Sequence, residues 1–222
     1  GKVSRNHLTQ RAGEIIGWIV VVVALTGTIA SLGVTRTWIA DHWPHAISGA
    51  QNTTVQTGPC LQVRSVCGAP TRDLDGVPSI SAGKILSILQ SYHSPAANST
   101  FANQLYDLGL KYNVNPAYAL GFFAYESQCG TTGIAVNTLS LGNVRYTQSN
   151  SPVSYSQYMG FRKYSTWRDG AEDWYWVIRT YYINQGLRDI YKVTPVYAPS
   201  TDNNNPQQYA QTVYQLVQNW NS

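Results

Sequence analysis

The sequence predicts a mainly α-helical domain with a loop or small β-hairpin insertion, preceded by one transmembrane helix. Three observations lead there. The run IIGWIVVVVALTGTIASLGVT, Ile15 to Thr35, spans twenty-one residues without a charge. After Ser81, apolar residues recur at helical spacing in several stretches. Between those stretches, Gly130 to Arg168 is dense in Gly, Ser, Thr, Asn and Tyr, the composition of turns and hairpins.

Taken in order, residues 1–14 carry Lys2, Arg5 and Arg11 against Glu14. That basic excess ahead of the apolar run predicts a cytoplasmic amino-terminal segment. The run itself, residues 15–35, is long enough at helical rise to cross a hydrocarbon core of about 30 Å. A cleaved signal peptide is the alternative, but its apolar region is usually about 7 to 15 residues. The expectation is therefore a single-pass anchor in the cell membrane with the carboxy-terminal domain extracytoplasmic. Residues 36–80 are rich in Gly, Pro, Ser, Thr and Asn and read as a spacer. Within it Cys60 and Cys67 bracket LQVRSV, and export would allow them to close a small disulfide loop.

The domain proper is expected over residues 81–222. Ser81 is a candidate N-cap for SAGKILSILQSY, and STFANQLYDLGLKYN repeats the helical period through Phe101, Leu105 and Leu108. In NPAYALGFFAYES, Asn115 is placed to cap and Pro116 to occupy the first helical position. YTQSNSPVSYSQY suggests a hairpin or long irregular loop. Helical character returns in WRDGAEDWYWVIRTYYINQG, ending at Gly186, and in PQQYAQTVYQLVQNW after NNNP.

Charged residues make up 12% of the chain, while Tyr (16) and Trp (7) are abundant. Such a balance suits stacking on neutral polar ligands such as sugars. The net charge of +4 has no dense Lys/Arg stretch, which argues against nucleic acid and is compatible with an anionic wall or lipid surface. Cys129 has no histidine partner in the domain's later part, since the histidines are His7, His42, His45 and His93. A thiol nucleophile normally needs such a base, so a cysteine peptidase is disfavoured and Cys129 reads as a packed residue.

Glu126 is the residue that draws chemistry. No other carboxylate occurs from Ser127 through Arg168, and Phe122, Phe123 and Tyr125 precede it. An apolar setting at the negative end of a helix should raise its pKa, as a general acid requires. Asp169, Glu172 and Asp173 fall at the start of a helix, where capping and the dipole explain them.

In order and spacing, AYESQCGT, NTLSLGNVRY, FRKYSTWRDGAEDWYWVI and YAPSTDNNNPQQYAQTV resemble the glucosaminidase domains of glycoside hydrolase family 73, over roughly residues 81 to 220. The matched positions are Glu126, Ser127, Gly130 and Thr131, then Asn137, Leu141 and Gly142, then Phe161, Arg162 and Tyr164. Cys129 stands where the family usually has an aromatic. The resemblance implies a lysozyme-like fold and an endo-β-N-acetylglucosaminidase acting on β-1,4 bonds of peptidoglycan glycan strands, with Glu126 as catalytic acid. No metal or organic cofactor is implied. Ser127, Asn137, Tyr146, Tyr155, Tyr158 and Tyr197 are the candidate substrate-binding residues. No carboxylate follows Glu126 within its loop, so the second chemical role goes to the substrate's own 2-acetamido group, or to its C6 hydroxyl in a lytic transglycosylase. The alternatives are a transglycosylase or muramidase of the same fold, and a non-catalytic glycan-binding module in envelope assembly.

Overall fold

The computed structural model describes residues 70–222. The expected membrane helix and the Cys60–Cys67 bridge lie outside those residues. Among the described residues no helix is long and apolar enough to cross a membrane.

Seven α-helices and one hairpin make up the described region. They are α1 (Ala82–Ser91), α2 (Ser99–Tyr112), α3 (Pro116–Ser127), α4 (Ala135–Thr138), β1 (Ser156–Tyr158), β2 (Phe161–Lys163), α5 (Trp167–Val177), α6 (Ile190–Tyr197) and α7 (Pro206–Trp220). The starts follow capping chemistry. Ser81, Asn98, Asn115, Thr166, Asp189 and Asn205 each accept a backbone N–H in the first turn of the helix they precede. Pro116 and Pro206 occupy the first helical positions, where a missing N–H costs nothing.

The centre of the structure is α3. Eleven of its twelve residues are buried, Tyr125 being the exception, so it is a helix enclosed on all sides rather than an amphipathic one. It packs on α7, which in turn packs on α6, while α1 packs on α2 and α2 on α5. Gly121 permits the α3–α7 approach: a Cβ there would lie 2.9 Å from a Val213 methyl. The core is aromatic. Phe122 meets Trp174, Tyr197 and Tyr209 at ring separations of 5.2, 4.9 and 5.4 Å, tilted or edge-on.

The insertion is a short hairpin. Ser156, Gln157 and Tyr158 pair with Lys163, Arg162 and Phe161, and the two turn residues Met159 (φ 48°) and Gly160 (φ 83°) are both left-handed, as a tight hairpin turn demands. Along the other edge of β2, Arg162 N–H donates to Val144 O and Tyr146 N–H to Gly160 O, each at 2.8 Å. The hairpin is thereby tied to the segment that follows Gly142. Residues 147–155 fold around the buried Arg162 guanidinium. It forms a two-oxygen ion pair with Asp173 at 2.8 and 3.0 Å, donates to Thr147 and Ser149, and carries the Tyr155 ring 4.3 Å away.

Two features differ from expectation. Residues 70–80 are not all spacer, because Leu74 is fully buried and its N–H donates to Arg188 O while its carbonyl accepts from Asn115 N–H. Arg72 binds Asp189, and Arg188 binds Asp75, so the stretch is strapped to the domain by crossed ion pairs. The packed unit thus begins before Ser81. The helix α6 also has no counterpart in the sequence pattern. Pro195 lies inside it, and a proline ordinarily signals a helix end. Burial of Ile190, Val193, Thr194 and Tyr197 holds it in place.

Candidate active site

Glu126 is the penultimate residue of α3, and the chain turns away from it through Gln128, Cys129 and Gly130, all with positive φ. Those turns cap the helix: Gln128 N–H returns to Ala124 O and Cys129 N–H to Phe123 O. Ser127 locks the same corner, donating to Leu141 O at 2.8 Å and accepting from Gly130 N–H at 2.9 Å. The Glu126 side chain is thereby directed inward, with the residue 7% exposed.

Two neighbours hold it. Tyr209 on α7 donates its phenol to Oε1 at 2.5 Å. Asn143, in the left-handed region at φ 47°, donates Nδ2–H to the Glu126 main-chain carbonyl at 3.0 Å, and its amide also reaches the carboxyl. Burial drives the Glu126 pKa up to about 8, against the opposing pull of Tyr209 and Asn143. The acid is therefore protonated at neutral pH, as the apolar setting and helix-end position predict. Beside it Tyr125 stacks on Tyr209 with ring centres 3.9 Å apart, and remains 37% exposed. A neutral carboxylic acid thus lies under a tyrosine pair whose outer ring faces water.

The candidate substrate-binding residues divide. Ser127 and Tyr197 are buried, their hydroxyls engaged by the fold. The Tyr197 hydroxyl donates to Gly142 O at 3.1 Å and accepts from the Trp174 indole N–H at 3.2 Å. Tyr197 lies close enough to Glu126 for the two to be coupled electrostatically. Asn137 lies exposed on α4, and Tyr146 is 39% exposed three residues past Asn143. Tyr155 is half-buried, its hydroxyl donating to Thr147 O at 2.8 Å and accepting from Ser149 N–H at 3.1 Å. Tyr158 is half-buried beneath the Lys163 ammonium, 5.4 Å from the ring centre.

Sequence reasoning overlooked Tyr209, Asn143 and Tyr125. The first had a signal: Tyr209 occupies the same apolar stripe of α7 as Val213, Leu216 and Val217, and a phenol on a buried stripe needs a polar partner. Asn143 had none, because its contact depends on the left-handed turn after Gly142.

The carboxylates of α5 are engaged elsewhere. Asp173 is enclosed by Arg162, by the Tyr164 hydroxyl at 2.5 Å and by Ser151 at 2.5 Å. Glu172 is buried yet held below the usual carboxylate range by Lys111 and Arg168, at 2.5 and 2.8 Å. Asp169 lies 3.7 Å from Arg168. Cys129 is buried, and burial pushes its thiol far above the reactive range. Among the described residues no group of three His, Cys, Asp or Glu side chains could hold a metal ion.

The arrangement can deliver one proton from a sheltered acid and take it back, with an exposed aromatic ring alongside. No protein-family model matches this chain, and no curated protein matches it.

Proposed function

We propose that the protein is a membrane-anchored hydrolase that cleaves β-1,4 glycosidic bonds of peptidoglycan glycan strands, in the manner of an endo-β-N-acetylglucosaminidase. The observation that carries this reading is the buried Glu126 carboxyl, protonated at neutral pH and bound by Tyr209. In the proposed reaction Glu126 gives its proton to the leaving glycosidic oxygen as the sugar's 2-acetamido oxygen closes on the anomeric carbon. The bond from that carbon to the leaving oxygen breaks, and an oxazolinium ring forms. Water then adds at the same carbon while Glu126 recovers a proton from it. Tyr209 supports the transient carboxylate, because a hydrogen bond to the charged form favours it. Tyr125 offers the exposed ring on which a pyranose face stacks.

A protein-supplied second carboxylate is not needed in this scheme, which suits the engagement of Asp169, Glu172 and Asp173 with cations. Mass spectrometry of fragments released from purified peptidoglycan tests the reading. An N-acetylglucosamine reducing end supports it, and a muramic acid or anhydro end assigns a muramidase or a lytic transglycosylase instead. Binding without any release, equal in wild type and Glu126→Gln, would make the domain a glycan-binding module.

A further inference from the structure

The lobe that follows Glu126 carries charge of one sign. From Ser127 through Arg168 the chain has four cations, Arg145, Arg162, Lys163 and Arg168, and no carboxylate, whereas the rest of residues 70–222 has six cations against nine carboxylates. Two of the four face the helical body: Arg162 pairs with Asp173 and Arg168 with Glu172, each at 2.8 Å. The other two share a surface. Arg145 bridges to Phe161, Phe161 pairs with Tyr158, and Lys163 follows two residues along β2. Directly opposed residues, and residues two apart, lie on one face of a pleated ribbon, so Arg145, Phe161, Tyr158 and Lys163 occupy one face and Arg162 the other. The ring contacts agree. The Arg145 guanidinium stands 4.9 Å from the centre of the Phe161 ring and the Lys163 ammonium 5.4 Å from that of Tyr158. Each ring steadies the charge above it, with Lys163 exposed and Arg145 half-buried. This face continues the active-site turn, since Asn143, whose amide binds the Glu126 main-chain carbonyl, precedes Arg145 by two residues, about 7 Å of extended chain.

We propose that this ribbon face is a subsite for the free carboxylates of peptidoglycan peptide stems, which Arg145 and Lys163 engage while the glycan lies at Glu126. The proposal rests on the wall-hydrolase reading and adds a preference to it: strands whose stems keep their carboxylates bind better than strands whose stems are amidated. The guanidinium fork matches a carboxylate with two hydrogen bonds, and the ammonium is a point charge on a flexible stem that can follow a mobile peptide. Exposed charge pairs are individually weak, so the face steers and selects more than it holds. A phospholipid surface is the other anionic source. It fits less well, because the large apolar side chains exposed on the ribbon are Met159 and Tyr146, and seating on a bilayer takes a whole apolar face.

Binding is measured with the complete chain in detergent, carrying Glu126→Gln so that no bond is cut. The probes are purified peptidoglycan and the same material with its stem carboxylates amidated. Native wall should bind more tightly, and the difference should shrink as salt is raised. Lys163→Gln and Arg145→Gln should each weaken binding to native wall about two- to fivefold, the worth of one exposed charge pair, and leave amidated wall unchanged. Equal binding to the two walls, or the same loss on both, overturns the proposal. Should Arg145→Gln fail to melt cooperatively because Phe161 loses its cover, Lys163→Glu, at an exposed position, carries the test. It should weaken native wall further than Lys163→Gln, and no further loss overturns the proposal. A loss on phosphatidylglycerol vesicles relative to phosphatidylcholine, with wall binding unchanged, overturns it in favour of a lipid surface. Charge-selective binding by a wild-type chain that releases no fragments would sink the proposed hydrolase and leave this face standing. Fragment release without charge preference would do the reverse.

Discussion

At the scale of single residues the chemistry reduces to what burial does to one carboxyl. Glu126 is protonated in the folded chain up to about pH 8 and, when unfolded, ionises in the ordinary carboxylate range. Folding therefore takes up a proton between those limits. The stability Glu126 confers is full below the ordinary range and is lost as pH rises toward 8, by a few kcal/mol. Thermal melts of wild type should fall over that interval, whereas Glu126→Gln, which never ionises, should lose much less and melt higher than wild type at pH 8 to 9. Parallel melting curves for the two proteins would show that the carboxyl is not held neutral. The same substitution should lower turnover on glycan strands by at least about 10²- to 10⁴-fold, the usual worth of general acid catalysis. Tyr209→Phe removes the donor to Oε1, which opposes burial, so the basic limb of the pH–rate profile should move to higher pH. A limb that moves down would assign Tyr209 a different part.

At the scale of elements, the site exists because α3, α7 and the turn after α4 meet without gaps. Gly142 is where this is tightest: a Cβ there would lie 2.3 Å from Trp174 Cδ1, and the Gly142 carbonyl also accepts from Tyr197. Gly142→Ala should force the indole aside and cost at least 1–3 kcal/mol, the range for an overpacked core, visible as a lower melting temperature. The buried Arg162–Asp173 pair is the second such point. Asp173→Asn leaves the guanidinium without its counter-charge and should cost about 3–5 kcal/mol. Lost activity in that variant would then accompany lost fold, and a cooperative melt at the wild-type temperature would contradict the assignment. These dependencies explain what the sequence could disclose. Caps and periodicity announced α1, α2, α3, α5 and α7, because Ser81, Asn115, Pro116 and Pro206 act locally. Glu126 was legible for the same reason, as a carboxylate among aromatics at a helix end. The burial of Ser127 and Tyr197 was not legible, because a hydroxyl's partner is set by distant chain, Leu141 O in one case and Gly142 O in the other. Pro195 hid α6, whose order comes from tertiary burial rather than propensity.

At the scale of the whole described unit, the strap over residues 70–80 decides how much chain the fold needs. Leu74 is fully buried, and deleting a buried leucine side chain ordinarily costs about 2–5 kcal/mol. Removing the strap also strips Arg188 O and Asn115 N–H of their backbone partners, and frees the Tyr118 hydroxyl, which donates to Thr71 O at 2.6 Å. The exposed pairs Arg72–Asp189 and Arg188–Asp75 add little, since surface ion pairs are worth about 0–1 kcal/mol each. The losses together approach the whole stability of a typical domain, about 5–15 kcal/mol. They also fall on Asp189, which caps α6, the helix that carries Tyr197 close to Glu126. A fragment beginning at Ser81 should therefore melt far below one beginning at Pro70, or remain unfolded, and should lose the high glutamate midpoint with its fold. Arg72→Ala in the complete chain should change the melting temperature only slightly. If the two fragments melt together, the strap is an accessory and the domain begins at Ser81 as its helical pattern suggests.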